Sequence, residues 1–426
     1  MRRPLPRAPT HRRRQRGVAL VLVLVLLPLV AILMTQLSFE TTIGDRLARN
    51  ALANEQFKVA ILARERQLRL RLVRDLKEDD KSASQGGAFD YYGDPWGPDS
   101  EGGGMAVMVT KGEADRGDDI SLYTEITDEQ GKFNLNLLLH KDPQRAARAL
   151  EAFKNLLNFF RDTRFGDVVE EHDYDLDEQQ AREVGDAVSK FLKNEERDAR
   201  VRRPDLPDPP GDMKQGVLAV RELLFAHAFF QQKRMLDKFT DVKSGQVLPS
   251  LEEFVTVYGD GRVNANTAPI QVLRAMFKEE QGQRDVAEEI LHGRGGFLEN
   301  SDEDQEKREE TLEDRRKAKE EGIEEDEEQA AAYKTMNDLS KVEGMGDGTF
   351  LRRNDVDVGR DFTVRTNFFR AVVTARRENF LRRQIFVFER HTEGCLTLST
   401  EVRLTDLGDL PEDAMRSGTQ DTASAP

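Results

Sequence analysis

The chain has 426 residues, 34% of them charged, and a formal net charge of -15. That length accommodates two or three domains with real cores, and the acidic balance argues against broad nucleic-acid binding and favours a solvated body. A single cysteine, Cys395, excludes an intrachain disulfide without excluding an oxidising compartment.

Arg12, Arg13, Arg14 and Arg16 form a basic cluster, Gly17 follows, and Val18 to Met34 carries no charge and no polar side chain. An apolar run of this length, extended by Thr35, Gln36 and Ser38, is read as a membrane helix, with the arginines cytoplasmic and the bulk of the chain on the other side. A secretory signal peptide would need a small-x-small cleavage site just after the run. The nearest, Ala51-Leu52-Ala53, lies well beyond Glu40, the first acidic residue. RRRQRG followed by VALVLVL resembles instead a type IV pilin-like leader, cut by a prepilin peptidase between Gly17 and Val18 with the apolar run retained. Loss of residues 1–17 removes seven arginines and takes the formal charge from -15 to -22. Pilins carry a glutamate at mature position five. Here that position is Leu22, a departure shared with the minor pseudopilin K of type II secretion.

Past the membrane run, Phe39, Ile43, Leu47, Phe57, Ile61, Leu68 and Leu72 keep an apolar stripe, so one amphipathic helix is expected from Val18 to Leu76. Pro28 is a candidate kink. Residues 77–104 are rich in Gly, Asp, Ser and Pro and read as a loop in which Trp96 is a packing anchor. Short strands are expected at Met105–Thr110 and Ile120–Thr127. The segment Asp128 to Asn136 makes a turn and a strand with alternating asparagines able to satisfy buried backbone. It is similar to a DE-x-G-x-x-N-x-N stretch of the secretion protein K family.

Asp142 with Pro143 starts a helix to Phe160, and Leu176–Leu192 reads as another. The acidic run His172 to Asp177 fails the calcium-loop test, having Glu178 at position six and Val184 at position twelve. After a proline-rich break at Arg202–Asp212, an apolar helix is expected over Val217–Met235, with His227 a packed side chain. Ser250 and Glu253 form a capping box. Tyr258 to Leu273, with Gly259 and Gly261 for a tight turn, a short strand near 262–264, and Thr267 and Pro269 opening a helix, carries the strongest resemblance. It is similar to the YGDG-x-V-N-x-N-T-A-P-x-x-V-L string of secretion protein K. Residues 295–332 are dominated by interleaved charges and have no counterpart in that pattern.

Gly344-Met345-Gly346 resembles a helix-hairpin-helix turn, but Asp338, Glu343 and Asp347 surround it where phosphate binding needs positive charge. Phe362–Arg376 and Phe380–Arg390 read as strands. Cys395 to Leu404 reads as a half-buried strand with Cys395 on its more polar face.

The resulting expectation is an α+β, type IV pilin-like fold: a leader (1–17), a long N-terminal helix (18–76) packed on an antiparallel sheet (77–140 and 356–404), a large inserted α-helical domain (141–355) and a polar tail (405–426). The resemblance implies a minor pseudopilin in the bacterial inner membrane with a periplasmic body. It would stand at the tip of the secretion pseudopilus, with minor pseudopilins I and J as partners, priming assembly without catalysis. It also implies calcium, for which Asp90, Asp94 and Asp99 offer flexible oxygen ligands, although such residues are more commonly turn formers. Two other readings remain. A membrane-anchored DNA-uptake protein would use the hairpin at Gly344–Gly346, and a tethered hydrolase would need groups from distant parts of the chain to converge.

Overall fold

The computed structural model describes residues 15–82, 89–97, 108–110, 120–161, 173–193, 219–241, 245, 247–279, 282–294, 332–377 and 380–403. The leader before Gln15, Asp99, most of the charged insertion and the tail beyond Arg403 lie outside them.

Helix α1 runs unbroken from Gln15 to Ser82 with Pro28 inside it, about 100 Å at 1.5 Å per residue. It has two regimes. From Leu20 to Leu52 its side chains are exposed, and the segment is apolar enough to cross a membrane. From Ala53 onward, Phe57, Ile61, Leu68, Leu72 and Leu76 are buried at the helical spacing that the stripe required. They pack on a five-stranded antiparallel sheet of order β1-β2-β9-β10-β11, comprising β1 (Met108–Thr110), β2 (Ile120–Asp128), β9 (Phe368–Arg377), β10 (Phe380–His391) and β11 (Gly394–Arg403). Trp96 closes this core as an anchor, its ring 5.0 Å from that of Phe369.

Strands β2 and β9 are neighbours in the sheet although about 240 residues separate them. Between them lies a second, larger core running from Phe133 to Val364. It holds α2 (Pro143–Phe159), capped by Asp142 with Pro143 in its first turn, and α3 (Glu178–Leu192), opened by a capping box at Asp177 and Gln180. Short strand pairs stitch it together: β3 (Phe133–Asn134) with β6 (Val255–Thr256), β4 (Phe239–Thr240) with β5 (Val247–Leu248), and β7 (Val263–Asn264) with β8 (Phe362–Thr363). The fold is thus the pilin-like α+β arrangement with a helical insertion.

Four local expectations change. The helix over 217–235 is two pieces, a 3-10 segment Val220–Phe225 and a short helix Phe229–Gln232. Between them the Nδ1 of His227 accepts the Phe229 backbone N–H, so a side chain replaces a helical acceptor. Thr267 does not cap the helix Ile270–Ala275; its hydroxyl is drawn to buried Asp128 at 2.6 Å. The strand from Phe362 splits, because Thr366 and Asn367 give their backbone N–H groups to Asp90 and Gln130 instead of a ladder. In β11 the phase is inverted: Cys395 is buried against α1, whereas Leu396, Leu398 and Val402 are exposed.

Candidate assembly helix and carboxylate cluster

The two asparagine motifs brace the insertion onto the sheet. Asn134 donates to the carbonyls of Tyr258 and Gly259, and Asn136 to that of Val257. Asn264 donates to the Asp128 carboxylate and the Asp90 carbonyl, while Asn266 exchanges both its amide bonds with the Tyr333 backbone. Gly259 and Gly261 adopt φ values of 95° and 86°, the left-handed region that glycine enters without penalty. A Cβ on Gly261 would sit 2.4 Å from the Leu137 side chain. Beside this seam, fully buried Glu129 receives Lys132 and Arg370, and these cations hold its carboxyl down at about 2 against the opposing effect of burial.

The carboxylate cluster lies where the end of α1 meets the loop after it. Oxygens of Asp75, Asp90 and Asp94 come within 4.8 Å of one another. Arg390, from β10 and fully buried, donates to Asp75 at 2.7 Å, to Asp90 at 2.5 Å and to the Thr366 carbonyl at 2.7 Å. The other oxygen of Asp90 accepts the Thr366 N–H, and one oxygen of Asp94 accepts the Tyr91 N–H. Burial pushes Asp94 up to about 8, with Asp75, Asp90 and Asp79 adding to the shift. Burial likewise takes Asp75 to about 7 against the pull of Arg390, and Asp79 to about 6.

Of the three sequence candidates for calcium, the structure thus joins Asp90 and Asp94; Asp99 lies outside the described residues, and Asp75 takes part instead. The donors are all hard oxygens, the acids outnumber the guanidinium among them, and Oδ2 of Asp79 is buried without a hydrogen bond. That chemistry fits a calcium ion on the oxygens left over by Arg390.

The cleavage candidates Gly17 and Val18 fall in the first turn of α1, and Leu22 is an exposed residue of its apolar segment. The stripe that packs on the sheet continues below it through Leu47, Ile43 and Phe39, which are 63, 42 and 66% exposed. On the opposite side of α1, Leu52, Val59, Leu62 and Leu70 are exposed as well. The hairpin at Gly344 has Lys341 paired with Asp338 at 2.8 Å, with Glu343 and Asp347 flanking it, so a phosphate would meet carboxylates there. Cys395 is buried, its thiol pushed up to about 11 by that burial, which leaves it protonated and poorly nucleophilic.

No family model matches the chain. It is 28% identical over 301 residues to the type II secretion system protein K of Pseudomonas aeruginosa, covering 68% of this chain and 76% of that protein. Its fold matches a chain in the crystal structure of the GspK-GspI-GspJ complex from the enterotoxigenic Escherichia coli type 2 secretion system, with a TM-score of 0.50, 12% identity and coverage of 84% of this chain and 99% of the other. A membrane-length helix continuing into a helix-on-sheet body, with a helical domain inserted between neighbouring strands, defines a pilin-like subunit. In sequence the chain is similar to the type II secretion system protein K family. That similarity supports a minor pseudopilin of type II secretion.

Proposed function

We propose that this chain is the tip subunit of a secretion pseudopilus, first into the assembly and present once, and that it primes growth of the fibre. The observation that carries this reading is α1, which bears apolar residues on more than one side. Between Phe39 and Ala53 it runs bare for roughly 20 Å, with Phe39, Ile43 and Leu47 facing water. Such a stripe is completed by helices of neighbouring subunits. The partners are minor pseudopilins I and J, named together with K in the Escherichia coli complex. The apolar segment anchors the chain in the bacterial inner membrane after a prepilin peptidase cuts between Gly17 and Val18, and the body stands in the periplasm. Leu22 supports the tip position. A carboxylate there would seek a partner within the membrane, and a subunit with no neighbour ahead of it has none to offer.

Calcium would be held by Asp75, Asp90 and Asp94, and when bound it supplies the positive charge that Arg390 alone does not. The role is assembly rather than catalysis. Deleting this chain from cells that overproduce the other pseudopilins tests priming: the number of fibres per cell falls at least about tenfold, while fibres undiminished in number would contradict it.

A further inference from the structure

We propose that β11 is a docking edge that takes one extended strand from a neighbouring pilin-like subunit, making the sheet six-stranded. The inference rests on the reading of α1 as an assembly helix and adds a second contact beside it.

Strand β11 ends the sheet order, and among the described residues it has a strand neighbour on one side only. It is ten residues long, whereas β1 at the other edge has three. Edge strands are normally blunted by charge or proline. From Gly394 to Thr400, β11 has neither. It also places Leu396 and Leu398 in solvent, 54 and 43% exposed.

The hairpin fixes which backbone groups are on offer. His391 and Gly394 flank the two-residue turn Thr392-Glu393, and Cys395 lies opposite Arg390. Alternation from that turn makes His391 and Gly394 the hydrogen-bonded pair and turns the N–H and C=O of Cys395 and Thr397 away from β10. Two contacts agree with this phase. The Arg390 N–H is spent on Asn367, on the other side of β10. The outward carbonyl of Cys395 already draws a donor, Nε of Arg69, at 2.7 Å.

The occupant follows from these groups. Outward N–H and C=O groups at alternate residues are satisfied by a strand, not by a helix. Its side chains on the α1 face would meet Arg69 and Glu65, which favours polar residues. Those on the opposite face would cover Leu396 and Leu398, which favours apolar ones. A neighbour brought in along α1 arrives beside this edge, because Glu65 and Arg69 of α1 touch Thr397 and Cys395.

The test is hydrogen exchange read by mass spectrometry on the full-length chain in detergent, alone and co-purified with minor pseudopilins I and J. In the complex, peptides covering residues 393–403 should exchange at least about tenfold more slowly, and Leu396→Lys with Leu398→Lys should abolish that protection without moving the melting temperature of the free chain. A complex that forms with exchange in β11 unchanged overturns this proposal and leaves the α1 reading standing. Absence of any complex overturns both. Protection that appears in the chain alone and grows with its concentration assigns the edge to a second copy, and the neighbour is then wrong.

Discussion

At the scale of single residues, the cluster around Arg390 couples the long helix, the loop after it and the sheet. Asp75, Asp79, Asp94 and Asp128 are all raised by burial, to between about 6 and about 8. The sign follows from the two states. Unfolded, these acids ionise near their ordinary value of 3.8, whereas folded they stay protonated until pH 6–8. Their contribution to stability is therefore greatest below about pH 4 and is lost as pH rises through the folded values. In chelator, the melting temperature of the purified chain should fall between pH 5 and pH 8, and Asp94→Asn should flatten that fall by several degrees. Added calcium at pH 8 should raise the melting temperature of the wild type and not of Asp94→Asn. Equal slopes for the two proteins, or no calcium effect on either, would remove the cluster from the account. Little of this site was legible in the sequence. Asp90 and Asp94 sat visibly in a glycine-rich loop, but Asp75 belongs to an amphipathic helix, and its partner Arg390 lies 315 residues away. Only the neighbours Leu72 and Leu76 hinted that Asp75 faces inward, since both belong to the buried stripe.

At the scale of elements, α1 and the β9–β10 hairpin were legible because each repeats one period over many residues, and burial of a whole face enforces that period. Strand β11 has an equally clear period, yet its phase was misread. Its register is set by a two-residue turn and by a shift between Val387 and Phe388, neither of which hydrophobic alternation encodes. The same reasoning separates the two parts of α1. Leu47 lies on the sheet-facing stripe but below the sheet, so Leu47→Glu removes no buried contact in the body. It should leave the melting temperature within about 1 °C, as exposed substitutions do, while co-purification of minor pseudopilins I and J falls at least about tenfold. A variant that unfolds the body, or that keeps its partners, would contradict the division. Processing also belongs to this element. N-terminal sequencing of the mature protein should begin at Val18, whereas a start near Asn54 would mark an ordinary signal peptide.

For the whole molecule, the insertion was legible as strands split around a helical block, and β2 beside β9 is that split made spatial. What the sequence concealed is how firmly the block is held. The asparagines of two motifs about 130 residues apart are cross-braced by buried hydrogen bonds, and the polar seam through Asp90, Asp128 and Thr366 leaves the block little freedom to swing. In the tip position proposed for this chain, a block held this way meets only solvent, whereas inside a fibre it would have to fit beneath the subunit above. The most direct measurement is therefore electron microscopy of overproduced pseudopili labelled with an antibody against the inserted block. The account predicts label at one end of each fibre, one cluster per fibre; label distributed along the fibre length would contradict it.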